Sequence, residues 1–116
     1  MVKRYLRNEK LTPVLVWEHT EPKIKQSSNG FIVFDDSILD RGIGFVNCIY
    51  INPESNEYWL IDYRIFDPEL DGKSKVDHLQ DMLKNALLVD TWYASNEFML
   101  FVNNLGSPIK CNRLSI

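Results

Sequence analysis

Asp36 and Asp90 are the two side chains best placed for chemistry. Each closes an apolar run, Phe31-Ile32-Val33-Phe34 in one case and Leu87-Leu88-Val89 in the other, and each precedes a hydroxyl residue, Ser37 or Thr91. The first run is opened by a turn signal, Ser27-Ser28-Asn29-Gly30, which predicts a buried strand. An ionised carboxylate at the end of a buried strand is costly unless it is paired or holds a cation. If the two strands lie side by side, their ends bring two like charges together, and a divalent cation relieves the repulsion. Hard oxygen ligands suit Mg²⁺ or Mn²⁺. Two such ions about 3.5–4 Å apart activate water and stabilise the leaving oxygen in phosphodiester chemistry. The competing reading makes both residues ordinary turn or helix-cap aspartates. Side chains alternate along a strand, so Asp35 and Asp36 point to opposite faces and at most one serves a given site.

The other polar candidates carry less. Asp62 either faces the same site as Asp36 or joins Arg64 on a solvent face, and the solvent face is the expectation. His19 and His78 are lone histidines expected at the surface. Cys48 sits in an apolar run and is expected to be packed core, since no His or Asn is spaced to activate it. Trp92 and Tyr93 could stack a base, but aromatics beside an apolar helix are expected in the core. GxGxxG, P-loop and zinc spacings are absent.

The elements that position these residues follow from pattern. Phe31–Asp36 is a strand, Ile43–Ile51 a second, and Tyr58–Phe66 a third. The turn cluster Asn52-Pro53-Glu54-Ser55-Asn56 joins the last two as an antiparallel hairpin. Ser74 caps a helix whose apolar stripe is Val76, Leu79, Leu83, Ala86 and Leu87. Leu87–Asp90 is either its last turn or a very short strand. Ser95 caps another helix carrying Phe98, Phe101, Val102 and Leu105, with Gly106 as its C-terminal cap. Ile109 and Cys111 are candidates for extended chain. Ahead of all this, Thr12 and Pro13 start a short helix to His19, which Pro22 stops. The fold class is α/β: an antiparallel three-stranded meander, then helices and a short candidate fourth strand. Residues 1–29 form an N-terminal segment and residues 30–116 the core.

The chain has 116 residues, 45% hydrophobic and 25% charged, which suits one domain with a modest core. No run is long enough to span a membrane, and the N-terminus lacks a secretory apolar segment. Two cysteines without CxxC spacing point to free thiols in a reducing, cytoplasmic setting. A net charge of −3 argues against tight binding to bare DNA by this segment alone. Lys3, Arg4, Arg7 and Lys10 make the N-terminus the most basic part, expected to be a solvated face rather than a phosphate contact.

Several stretches, in order, resemble one family. They are Lys10-Leu11-Thr12-Pro13, Gly30 through Asp40, Ile61-Asp62-Tyr63-Arg64-Ile65-Phe66-Asp67, Asp71 through His78, Asp90-Thr91-Trp92-Tyr93-Ala94-Ser95 and Asn112-Arg113-Leu114. Together they resemble the DDE transposases of bacterial insertion sequences over nearly the whole chain. The DTWYAS and DGKSKVDH elements are the most specific. The resemblance implies an RNase H-like core that cuts and joins DNA with Mg²⁺ or Mn²⁺, catalytic and metal-binding Asp36 and Asp90, and the DNA ends of an element as partner. It also implies losses. The family's third acidic residue falls beyond this chain, and Glu97 is not placed to replace it. Stretches are missing around Asp40-Arg41-Gly42, between Ala86-Leu87 and Val89-Asp90, and near Pro108-Ile109. The expectation is therefore a truncated, internally deleted copy that binds metal weakly and is inactive alone. Its rivals are an interaction module that forms a homo- or hetero-oligomer with full-length transposase, and a minimal metal-dependent nuclease.

Overall fold

A computed structural model of the protein describes residues 12–27, 29–38, 43–67 and 74–114. The basic N-terminal residues, the Asp40-Arg41-Gly42 junction and most of the Asp67–Lys73 loop lie outside the described residues.

Thr12 and Pro13 open helix α1, Pro13–Gln26, with Thr12 Oγ1 accepting from the Leu15 amide at 3.3 Å. Pro22 does not stop this helix. It forgoes one helical hydrogen bond, but its fixed φ is already helical. Tertiary contacts hold the last turn. Ile24 is buried in the core. Beyond the helix, Ser27 Oγ donates to Glu57 Oε1 at 3.0 Å and is met by Asn52 Nδ2 at 2.9 Å and the Tyr50 hydroxyl at 2.7 Å. Proline propensity lost to packing, which sequence pattern does not display.

The meander forms as its pattern predicts. Strands β1 (Phe31–Ile38), β2 (Gly44–Asn52) and β3 (Glu57–Phe66) pair antiparallel in sequence order. The turn between β2 and β3 places Asn56 at φ 57°. Gly30 precedes β1 because the Tyr50 ring lies where a side chain would go, 2.0 Å from an ideal Cβ. Helix α2 (Lys75–Ala86) follows, its first turn capped by Ser74 Oγ, which accepts from the Asp77 amide at 3.1 Å.

Next come β4 (Trp92–Ala94), helix α3 (Asn96–Asn104) and β5 (Cys111–Arg113). Strand β4 pairs parallel to β1 and β5 parallel to β4, so the five-stranded sheet runs β3-β2-β1-β4-β5. The fourth strand is thus Trp92–Ala94 and not the apolar run before Asp90. The fifth exceeds the expected count. Its three residues are held by Asn103, which donates to the Cys111 carbonyl at 3.0 Å and accepts from its amide at 2.8 Å.

The three described helices pack on one face. His19 and Lys23 of α1 meet the Trp59 ring, Asn85 of α2 reaches Asp62, and Phe98 of α3 meets Phe34. The core between them holds Ile32, Phe34, Cys48, Leu79, Met82 and Trp92. A bulge at Cys48/Ile49 turns both Ile61 and Asp62 into this layer. The opposite face pairs Tyr93, Val33, Ile49 and Leu60 across β4, β1, β2 and β3. A neighbouring row sets Phe31 against Ile51 and Tyr58.

The buried stripe of α2 differs from its expected composition. His78 and Met82 turn inward, while Val76 and Leu87 are 39% and 45% exposed. His78 is therefore buried, against expectation, with its ring 5.9 Å from that of Phe66. No helix among the described residues is long and apolar enough to cross a membrane.

Candidate functional site

Asp36 lies near the C-terminal end of β1, opposite Val46 of β2. The Ser95 hydroxyl donates to Asp36 Oδ1 at 3.3 Å and accepts from the Phe98 amide at 3.4 Å, capping α3. The junction of β4 and α3 thus brings a hydroxyl to Asp36. Asp36 also lines a hollow of about 240 Å³ with Ser37, Phe66, Lys75 and Phe98. The Lys75 ammonium lies 5.6 Å from the Phe66 ring centre and 5.2 Å from that of Phe101, within cation–π range.

Asp90 is elsewhere. Ile32 is level with Trp92 in the parallel β1/β4 register. Asp36 lies four positions beyond that rung and Asp90 two positions before it. At about 3.3 Å per residue the two are roughly 20 Å apart along the strands. Asp90 is exposed, accepts from Thr91 Oγ1 at 3.2 Å, and lines a separate hollow with Ser27, Gly30 and Tyr50. The two carboxylates that sequence reading pairs are therefore not brought together. The cause is the short link after α2. Trp92 fills the core beside Phe34, and its indole donates to the Ala86 carbonyl at 3.1 Å and the Val89 carbonyl at 2.8 Å. That anchor leaves Asp90 at the N-terminal end of the strand.

Among the described residues no group of three or more His, Cys, Asp or Glu side chains could hold a metal ion. Asp36 offers one carboxylate, a serine hydroxyl and a nearby ammonium. That donor set does not fit a two-metal centre, in which carboxylates must bridge or flank both ions.

The most developed polar constellation is Asp62, which is fully buried. Arg64 grips it with two parallel bonds, Nε to Oδ1 and Nη2 to Oδ2, each 3.1 Å. Asn85 Nδ2 adds a third at 3.1 Å, and Asp81 stands 3.9 Å from Arg64 Nη1. Asp62 and Arg64 therefore do not line a solvent face as expected. Their i, i+2 spacing within an apolar strand was the available signal, since two such residues share one face and can pair. With its lone pairs occupied, Asp62 joins β3 to α2 and offers little to a substrate.

The thiols are structural. Cys48 is completely buried, and burial first, then the Asp62 charge, pushes its ionisation well above the usual range. Burial pushes Cys111 up to about 11. Glu57 moves the other way, held low by hydrogen bonds from Ser55, Trp59 and Ser27. Trp92 is buried as expected, so it is closed to base stacking. Comparison with protein-family models, curated proteins and solved structures finds no match.

Proposed function

We propose that the chain is a piece of an RNase H-like DDE transposase core that does not cut or join DNA by itself. The supporting observation is topological. An antiparallel meander is followed by a helical crossover to a strand lying parallel beside β1, an α/β arrangement that suits the RNase H-like core the resemblance implies, and Asp36 sits near the C-terminal end of that central strand. The reading also accounts for the displaced Asp90. A stretch missing before Val89 leaves too little chain ahead of Asp90 to fill the fourth position, so Trp92–Ala94 fills it instead. One carboxylate then remains at the site, and Mg²⁺ or Mn²⁺ binds there weakly at most. The partner in the parent family is DNA at the element ends.

The test is incubation with duplexes carrying those ends in Mg²⁺ or Mn²⁺. No cleavage or joining is expected. Clean end cleavage that Asp36→Ala abolishes refutes the proposal, and non-specific plasmid nicking sensitive to the same substitution would favour a minimal nuclease.

A second reading, pairing with full-length transposase, is favoured by the outer edge of β3. This ten-residue strand has no strand partner on that side among the described residues. Open edges recruit further strands. Co-purification of the two chains would support this reading, and its loss on Leu60→Pro in β3 would place the contact at that edge.

A further inference from the structure

We infer that the face of the sheet on which none of the described helices packs is an interface between two copies of this chain. The inference does not depend on the transposase reading. An antiparallel sheet with one solvated face normally alternates apolar-in with polar-out. Here most outward positions are also apolar; among the described strand positions of that face Asp35 is the one charged residue, and Ser37, Asn47 and Asn112 are polar. Strand β2 shows this most plainly: buried Val46, Cys48 and Tyr50 alternate with half-buried Phe45, Asn47, Ile49 and Ile51, of which Asn47 alone is polar. Apolar residues on both sides of a strand belong to sheets covered on both sides.

Area and shape argue for a second copy as the cover. The three long strands present about 400 Å² as a plane, at roughly 3.3 Å per residue and 4.8 Å between strands, and the short pair adds about 100 Å². Face-to-face pairing thus buries on the order of 1,000 Å² or more, the size at which specific interfaces begin. The face carries both a knob and a hole. Tyr58 is 69% exposed and stands at a groove of about 710 Å³ lined by Phe31, Val33, Ile49 and Ile51 together with Asp35, Asp36 and Arg113. In a two-fold pair each surface meets itself, so each Tyr58 has the partner's groove to fill. The product is a four-layer particle with the two sheets about 10 Å apart inside.

Sedimentation equilibrium of the full chain across the micromolar range decides the matter. A species of twice 13.6 kDa is expected. Ile49→Lys at the centre and Tyr58→Lys at the rim should each weaken association by about 30-fold or more, with circular dichroism unchanged. If Ile49→Lys fails to fold, Tyr58→Lys decides alone, since so exposed a side chain contributes little to the monomer. A folded monomer throughout the range overturns the inference, as does a dimer indifferent to both substitutions. A monomer that dimerises only after removal of residues 1–11 overturns it too, by making the chain's own N-terminus the cover.

Discussion

Asp62 shows how a buried charge is tolerated: each oxygen is met by a donor, and one guanidinium supplies a bond to both. Removing one partner of such a pair leaves the other charge buried and unpaired, which costs about 3–5 kcal/mol. Arg64 keeps Asp81, 3.9 Å from its Nη1, so Asp62→Ala is expected to lower the urea unfolding free energy by about 3 kcal/mol, the low end of that range, and a loss under about 1 kcal/mol would mean that Asp81 and water satisfy Arg64 instead. The thiols give a pH prediction. Below about pH 9 they are protonated in the folded and unfolded chains alike, and stability is intact. Above it the unfolded chain releases protons that folded Cys48 and Cys111 retain, so stability falls as pH rises from the ordinary 9.0 through about 11 for Cys111, and further for Cys48. The melting temperature should decline over this range, and Cys48→Ala combined with Cys111→Ala should flatten the decline.

At the scale of elements, local grammar and tertiary contact divided the outcome. The hairpin, the Ser74 and Ser95 caps and Gly106 with its φ of 76° were legible because each follows from a residue type at a fixed position. The continuation of α1 past Pro22 was not, because Ser27 and Ile24 hold it through residues far along the chain. Strand β5 was legible only as candidate extended chain at Cys111, without its pairing: three residues carry no period, and Asn103 supplies its anchor. His78 and Asp62 were read as exposed because pattern assigns polar residues outward; the bulge opposite Cys48 turns Asp62 in, and α2, packed on that face, covers it and carries His78 inward. Pro22→Ala should restore a hydrogen bond to α1 and raise stability by about 1–2 kcal/mol, partly offset by a freer unfolded chain, as a higher melting temperature. Gly30→Ala should cost about 1–3 kcal/mol through collision with Tyr50. Combined with Tyr50→Ala it should cost less than the two losses added, measured by denaturant titration.

At the scale of the whole molecule, the fold holds Asp36 and Asp90 apart. The types of both residues were legible in the sequence, but their distance was not, since it depends on which three residues occupy the fourth strand. Paramagnetic Mn²⁺ titrated into labelled protein should broaden amide signals around Asp36 and around Asp90 at unrelated, millimolar midpoints. A single tight midpoint shared by both would mean one ion held in common and would refute the register of β4.

Strand β1 sits at the middle of the sheet, yet one of its flanks is completed only by Trp92, sixty residues later in the chain. During synthesis the meander leaves the ribosome with its hairpin closed and that flank bare. A nascent chain paused ahead of residue 92 offers an unfilled slot that the same segment of a neighbouring nascent chain fits, so slow translation through α2 favours strand exchange between polypeptides over correct closure.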